Sequence, residues 1–254
     1  MKAGDLSWNW LRRTAAATRW SLVARLRAKP SPAAGLAADE FCRAYWHPLY
    51  AYLRSRGCTE ADAQDHVQSF MLRLFEENWL ARADAAKGRL RHFLLTLLAR
   101  HVQDQRLRDE AFKRGGGAPH LPLDCAVSEQ AYARDAQGAA TPEESFRRAL
   151  AVRLVDEGVK ALRVRYQELG KLAVFDALLP ALEGPLPEHT YAALAEPLGM
   201  QPAALRMAAL RLRERFRHCV VMAASAVLLL PPGPALEREL RDIFAGPPSG
   251  PPRV

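Results

Sequence analysis

The chain has 254 residues and a net charge of +8, with 36 Lys and Arg against 28 Asp and Glu. That length allows one large or two modest domains, and the basic balance favours nucleic acid or an anionic surface as partner. The four cysteines, at positions 42, 58, 125 and 219, make neither a disulfide framework nor metal-ligand pairs, which excludes a disulfide-stapled secreted scaffold and fits a reducing cytoplasm. Cys42, His47 and Cys58 read as buried thiols and a surface imidazole rather than a metal set. Arg12, Arg13, Arg19 and Arg25 interrupt every candidate export core, and the most apolar run, Val220–Leu230, is too short to span a bilayer. The expectation is a soluble, cytoplasmic protein with no metal and no cofactor.

In chain order, a short helix is predicted around Trp20–Ala28, stopped by Pro30 and Pro32. From Leu36 to Arg56 the residues Leu36, Phe41, Tyr45, Leu49 and Tyr52 recur at helical spacing. Pro48 should kink or divide that helix, and Gly57 should close it. Thr59 with Asp62 forms a capping-box-like start. Val67, Phe70, Leu74 and Phe75 then face a core, leaving Asp62, Asp65, His66, Gln68 and Ser69 largely outward. Ala81–Gly88 reads as a loop. Leu90–Leu107 reads as a second long helix with Leu90, Phe93, Leu94, Leu97 and Leu98 inside and Arg91, Arg100, His101, Gln103, Gln105 and Arg106 outward. The first of these helices is acidic and the second basic. One compact unit would thus offer an acidic surface and a basic one, although a solvated bundle with scattered charges fits the same pattern.

Residues 115–140, with Gly115–Gly117, Pro119, Pro122 and Gly138, read as a mostly non-regular linker. Thr141-Pro142-Glu143-Glu144 is a helix start, and that helix should run to about Leu169 with Phe146, Leu150, Leu154, Leu162 and Tyr166 inside. Gly170 breaks it, and Lys171–Leu182 makes another helix, closed by Gly184-Pro185. No alternating β pattern of useful length occurs. The reading is therefore all-α: two helical domains joined by a flexible linker.

Thr190–Phe216 has the pattern of a helix-turn-helix. Gly199 sits where a tight turn needs positive φ, with Ala195 four residues before it and Leu205 and Ala208 six and nine after. Leu205, Ala209, Leu212 and Phe216 form one stripe of the second helix. Arg206, Leu210, Arg213 and Arg217 form the other, flanked by Arg211 and Arg215. Guanidiniums placed so can hold phosphates, and Gln201 and Arg206 lie near enough to the helix start to reach base edges. A basic helix packed on its own domain is the alternative. No phosphate-cradling glycine loop, metal-spaced His/Cys set or nucleophile motif is present, so the chain is not read as an enzyme.

Five segments carry a family resemblance: TRWSLV at 18–23, CRAYWHPLYAY at 42–52, DAQD at 62–65, KGRLRHFLLT at 87–96 and KRGGG at 113–117. With the Thr190–Phe216 region they resemble the extracytoplasmic-function (ECF) sigma factors of bacterial RNA polymerase, over about Thr18 to Phe244. The resemblance implies a promoter-melting and clamp-binding domain at 18–114, a linker at 115–140, a helix-turn-helix domain for the −35 element at 141–220, and a C-terminal extension at 221–254. Asp62, Asp65 and Gln68 would dock on the polymerase clamp helices. Lys87, Arg89, Arg91, Arg100 and His101 would meet −10 promoter DNA, and Gln201, Arg206, Arg211, Arg213 and Arg217 the −35 element. An anti-sigma factor is a further partner of such proteins. Ser69 stands where the family usually has an acid, His66 where leucine is common, and Leu210 where a polar residue is usual. A DNA-binding regulator on the same scaffold that no longer engages polymerase is the alternative function.

Overall fold

A computed structural model of the chain describes residues 32–82, 89–112, 126–135, 139 and 141–245. The expected helix at Trp20–Ala28, most of the 81–88 loop and the Gly115–Gly117 run lie outside them. Among the described residues the fold is all-α, with no strand: α1 (Pro32–Ser55), α2 (Glu60–Glu76), α3 (Leu90–Phe112), α4 (Ala126–Asp135), α5 (Pro142–Glu168), α6 (Leu172–Leu178), α7 (Glu188–Ala195), α8 (Pro202–Val227) and α9 (Pro234–Phe244), with 3₁₀ turns at Trp79–Arg82 and Leu179–Leu182. The chain forms two compact units. One is Met1–Val152 with Ser225–Val254, the other Arg153–Ala224.

The first unit is built on α1. Phe41, Tyr45, Leu49 and Tyr52 are all buried, as their spacing predicts. Pro48 does not divide the helix, which runs unbroken from Pro32 to Ser55. An interior proline costs about 3 kcal/mol, and the buried side chains on either side of it offset that cost. The chain then turns at Gly57, whose N–H bonds Arg54 O at 2.9 Å while Cys58 N bonds Leu53 O at 3.1 Å. This double closure at a left-handed residue is a Schellman motif. Thr59 caps α2 by accepting from Asp62 N at 3.1 Å, and its hydroxyl donates to Asp62 Oδ2 at 2.8 Å. Val67, Phe70 and Leu74 fill the core beneath, with Phe75 half-buried.

Helix α3 sits rotated from the expected register. Its buried stripe is Arg91, Leu94, Leu95, Leu98, His101 and Val102, whereas Leu90, Phe93 and Leu97 are half-buried. Two polar side chains expected to face outward are therefore inside, and each has found a partner.

The segment expected to be mostly non-regular contains α4. Glu129 accepts from Arg54 (Nη2 at 2.7 Å, Nε at 3.0 Å) and also bonds the Tyr50 hydroxyl, which fastens α4 to α1. The Arg54 hydrogen bonds hold the Glu129 carboxyl below its usual range. Tyr132 lies edge-on to Tyr50 at 6.3 Å. At the other end of the chain, α9 buries Leu236 and Ile243, and the Tyr45 hydroxyl donates to Val227 O at 3.0 Å. The C-terminal segment is thus part of this unit's core.

In the second unit the part of α5 from Arg153 on, α6, α7 and α8 up to Ala224 enclose one apolar cluster that includes Leu162, Tyr166, Phe175, Tyr191, Leu205 and Leu212. Helix α5 begins where the sequence indicated, with Thr141 Oγ1 accepting from Glu144 N at 3.1 Å. Gly158 sits mid-helix because α8 crosses it closely: a Cβ there would stand 2.6 Å from Val220 Cγ2 and 3.2 Å from Val220 N. Alanine normally gains about 1 kcal/mol over glycine inside a helix, but here the clash should win. Gly158→Ala is expected to destabilise the protein by about 1–3 kcal/mol, as read by chemical denaturation. A gain in stability would mean the crossing is looser than these distances.

Candidate nucleic-acid interface

The turn between α7 and α8 is built as its sequence requires. Gly199 has φ +60°, its N–H bonds Glu196 O at 3.1 Å, and Met200 N bonds Ala195 O at 3.0 Å. A side chain at such a φ is strained, which is why glycine serves there. Beyond the turn, Leu205, Ala209 and Leu212 face the core, and Phe216 is half-buried. Away from that stripe α8 carries Arg206, Leu210, Arg211 and Arg217, all exposed, with Leu210 at 49%, and Gln201 is exposed just before the helix begins. Arg206 is paired with Glu188 at the start of α7. An exposed pair of this kind is worth little and can exchange for another anion.

Arg213 does not belong to that face. Its Nε donates to Ala181 O at 2.7 Å and its Nη2 to Gly184 O at 3.1 Å, so it caps carbonyls left over at the end of the 3₁₀ turn. Arg215 lies over the Tyr166 ring, 5.6 Å from the centroid. Both arginines have structural duties inside this unit.

The residues expected to meet an anionic polymer from the first unit also divide. Lys87 lies outside the described residues. Arg100 is exposed. Arg89 and Arg91 are bound by the chain's own C-terminal helix: Glu239 Oε2 is 3.0 Å from Arg89 Nε, and Glu239 Oε1 is 2.9 Å from Arg91 Nε. Asp242 pairs with Arg89 and lies 3.3 Å from Arg91 Nη2. Glu239 is only 4% exposed and Arg91 8%. Burial pushes the Arg91 guanidinium below its ordinary value while Glu239 pulls it back up, and Arg89 holds the Asp242 carboxyl below the usual range.

His101 is 1% exposed, with Nε2 2.8 Å from Ser69 Oγ and its ring against Phe70 at 5.9 Å. Burial, then the nearby Arg73 and His66, push it down to about 4. Ser69 is thus the partner of a core histidine. Arg91 and His101 are corrected from surface contacts to buried structural groups, and Arg213 to a backbone cap.

On α2, Asp62 is exposed, and Asp65 and Gln68 are half-buried. Their stripe, opposite the buried Val67 and Phe70, also holds Leu72, 59% exposed. Sequence reading passed over Leu72, although its seven-residue spacing from Asp65 places it on that face. A leucine exposed singly is common on protein surfaces.

No group of three His, Cys, Asp or Glu among the described residues could hold a metal ion, and no helix among them is long and apolar enough to cross a membrane. No protein-family model, curated protein or solved structure matches the chain.

Proposed function

We propose that this chain is a sigma-type initiation factor of the extracytoplasmic-function kind, which directs core RNA polymerase to promoters. The observation that carries the reading is the open face of α8. Three exposed guanidiniums, Arg206, Arg211 and Arg217, stand on the helix that follows the Gly199 turn, away from a buried apolar stripe, with Gln201 exposed just before its first residue. That face has the chemistry to hold phosphates and reach base edges at a −35 element. The α2 stripe of Asp62, Asp65, Gln68 and Leu72 would dock on the polymerase clamp helices, and is where an anti-sigma factor would compete. Arg100 would face −10 DNA.

The test is capture of core polymerase by the full chain, followed by run-off transcription. Leu72→Asp should weaken polymerase binding about tenfold or more, the loss typical of a central apolar contact, with the melting temperature unchanged. Equal affinity of the variant would remove the α2 stripe from the interface. Ser69 favours a second reading, a DNA-binding regulator that no longer engages polymerase, because its hydroxyl bonds His101 where relatives of this type would offer a carboxylate. Promoter binding without polymerase capture is the outcome that reading requires.

A further inference from the structure

The exposed side of α8 is not uniformly polar. Met207 and Leu210 are each 49% exposed and lie one turn apart, and Ala203, also exposed, continues their line toward the start of the helix. The other large apolar side chains exposed among the described residues, Leu72, Leu107, Val164, Leu179 and Phe244, each stand on a different element. Single exposed apolar residues are ordinary, but a line of them along one helix is a ridge. With about 100° of rotation per residue, Arg206 flanks this ridge on one side and Arg211 on the other, both exposed. Arg217 lies further along the same line. Glu214, the carboxylate of α8, is exposed a turn beyond Leu210, so the apolar stretch is confined to the first turns of the helix.

We propose that Met207 and Leu210, with Ala203 beside them, are specificity-determining residues that read the C5 methyl groups of thymines in the major groove of a promoter duplex. An apolar ridge between guanidiniums fits a partner that carries apolar groups between two rows of anions. The major groove has that layout: the thymine methyl is the apolar group among the base edges, and phosphates run along both sides. A recognition helix turns the residues of its first turns toward the base edges, and on α8 those are the ridge residues. Neither Met207 nor Leu210 offers a hydrogen bond that could select among donors and acceptors, so methyl contact is the means of discrimination open to them. Arg206 and Arg211 are placed to hold the phosphates on either side, and Gln201 remains for hydrogen-bonded readout just before the helix. The proposal rests on reading the chain as an initiation factor that docks α8 on duplex DNA. It adds which chemical group of the duplex decides the choice of sequence, and which side chains sense it.

Duplexes bound by the full chain together with core polymerase would be selected from a random pool, and each thymidine of the selected sequence then replaced singly by deoxyuridine. The exchange removes the methyl and keeps both the base pair and the O4 acceptor. At two or more positions it should weaken binding by the parent about fourfold, the worth of one buried methyl group. Leu210→Gln and Met207→Gln, both at exposed positions, should each weaken binding of the unmodified duplex by a similar factor. Each should also make the exchange silent at its own position while the other thymidines stay sensitive. Arg217→Gln should weaken all the duplexes alike and leave every thymidine-to-deoxyuridine ratio unchanged. If no thymidine is felt by the parent and silent in either ridge variant, while Arg217→Gln still weakens binding, the methyl reading falls alone. Self-association of the parent that Leu210→Gln abolishes, with no position made silent, would assign the ridge to a second copy and overturn the proposal. Failure of the parent to select any duplex in the presence of core polymerase would overturn the proposal and the initiation-factor reading together.

Discussion

Glu239→Ala should cost the protein about 3–5 kcal/mol of unfolding free energy, the loss usual when one partner of a buried ion pair is removed. Glu239 lies in the apolar stripe of α9, between Leu236 and Ile243, which are 0% and 2% exposed. Its two oxygens contact Arg89 and Arg91 at 3.0 and 2.9 Å. Without it Arg91 keeps its charge, because a guanidinium does not give up its proton in a protein. It also keeps its place in the core, because Leu94, Leu95 and Leu98 fix the face of α3. Asp242, 3.3 Å away and half-exposed, compensates only in part. The double variant Arg91→Leu/Glu239→Leu should recover most of the loss, since apolar replacement of a whole buried pair is often neutral. Urea unfolding followed by helical circular dichroism reads both. A Glu239→Ala loss below about 1 kcal/mol, the scale of an exposed pair, would mean that α9 is held by its leucine and isoleucine alone.

The same pair shows what the sequence could and could not disclose. Local signals were legible because their physics is local. Thr59 and Thr141 cap the helices that follow them, Gly199 and Gly170 take the positive φ that a turn requires, and Phe41, Tyr45, Leu49 and Tyr52 keep helical spacing. The register of α3 was not legible. Charged and ionisable residues are placed outside by default because they are almost never buried unpaired. The partner of Arg91 is Glu239, 148 positions further on, and the partner of His101 is Ser69, 32 positions back. Helix α9 was hidden for the same reason: Leu236, Glu239 and Ile243 make a helical stripe only if a carboxylate is allowed into the core. Helix α4 was obscured by the glycines and prolines around it, which outweighed the Glu129–Tyr132 face that fastens it to α1. Of the candidate site, the open face of α8 was readable apart from Arg213, whose acceptors are two backbone carbonyls that no side-chain pattern reveals. The basic face of α3 was readable only at Arg100 and Arg106.

Stability should also fall in mild acid through His101. Its imidazole titrates near 4 in the folded chain and near 6.5 when unfolded. Between those values the unfolded chain takes up a proton that the folded chain refuses. Stability from this group is therefore level above about pH 6.5 and declines as pH drops toward 4. The causes are burial first, then Arg73 and His66 on α2 and Arg108 on α3, with Asp104 acting in the opposite sense. From pH 7 to pH 5 the expected loss is about 2 kcal/mol. His101→Gln, which keeps a hydrogen-bonding group opposite Ser69 but cannot titrate, should lose that much less over the same interval. Comparing the two proteins at both pH values cancels the carboxylates that they share. Parallel curves would place the His101 ring in contact with water, and with it the Ser69 hydroxyl.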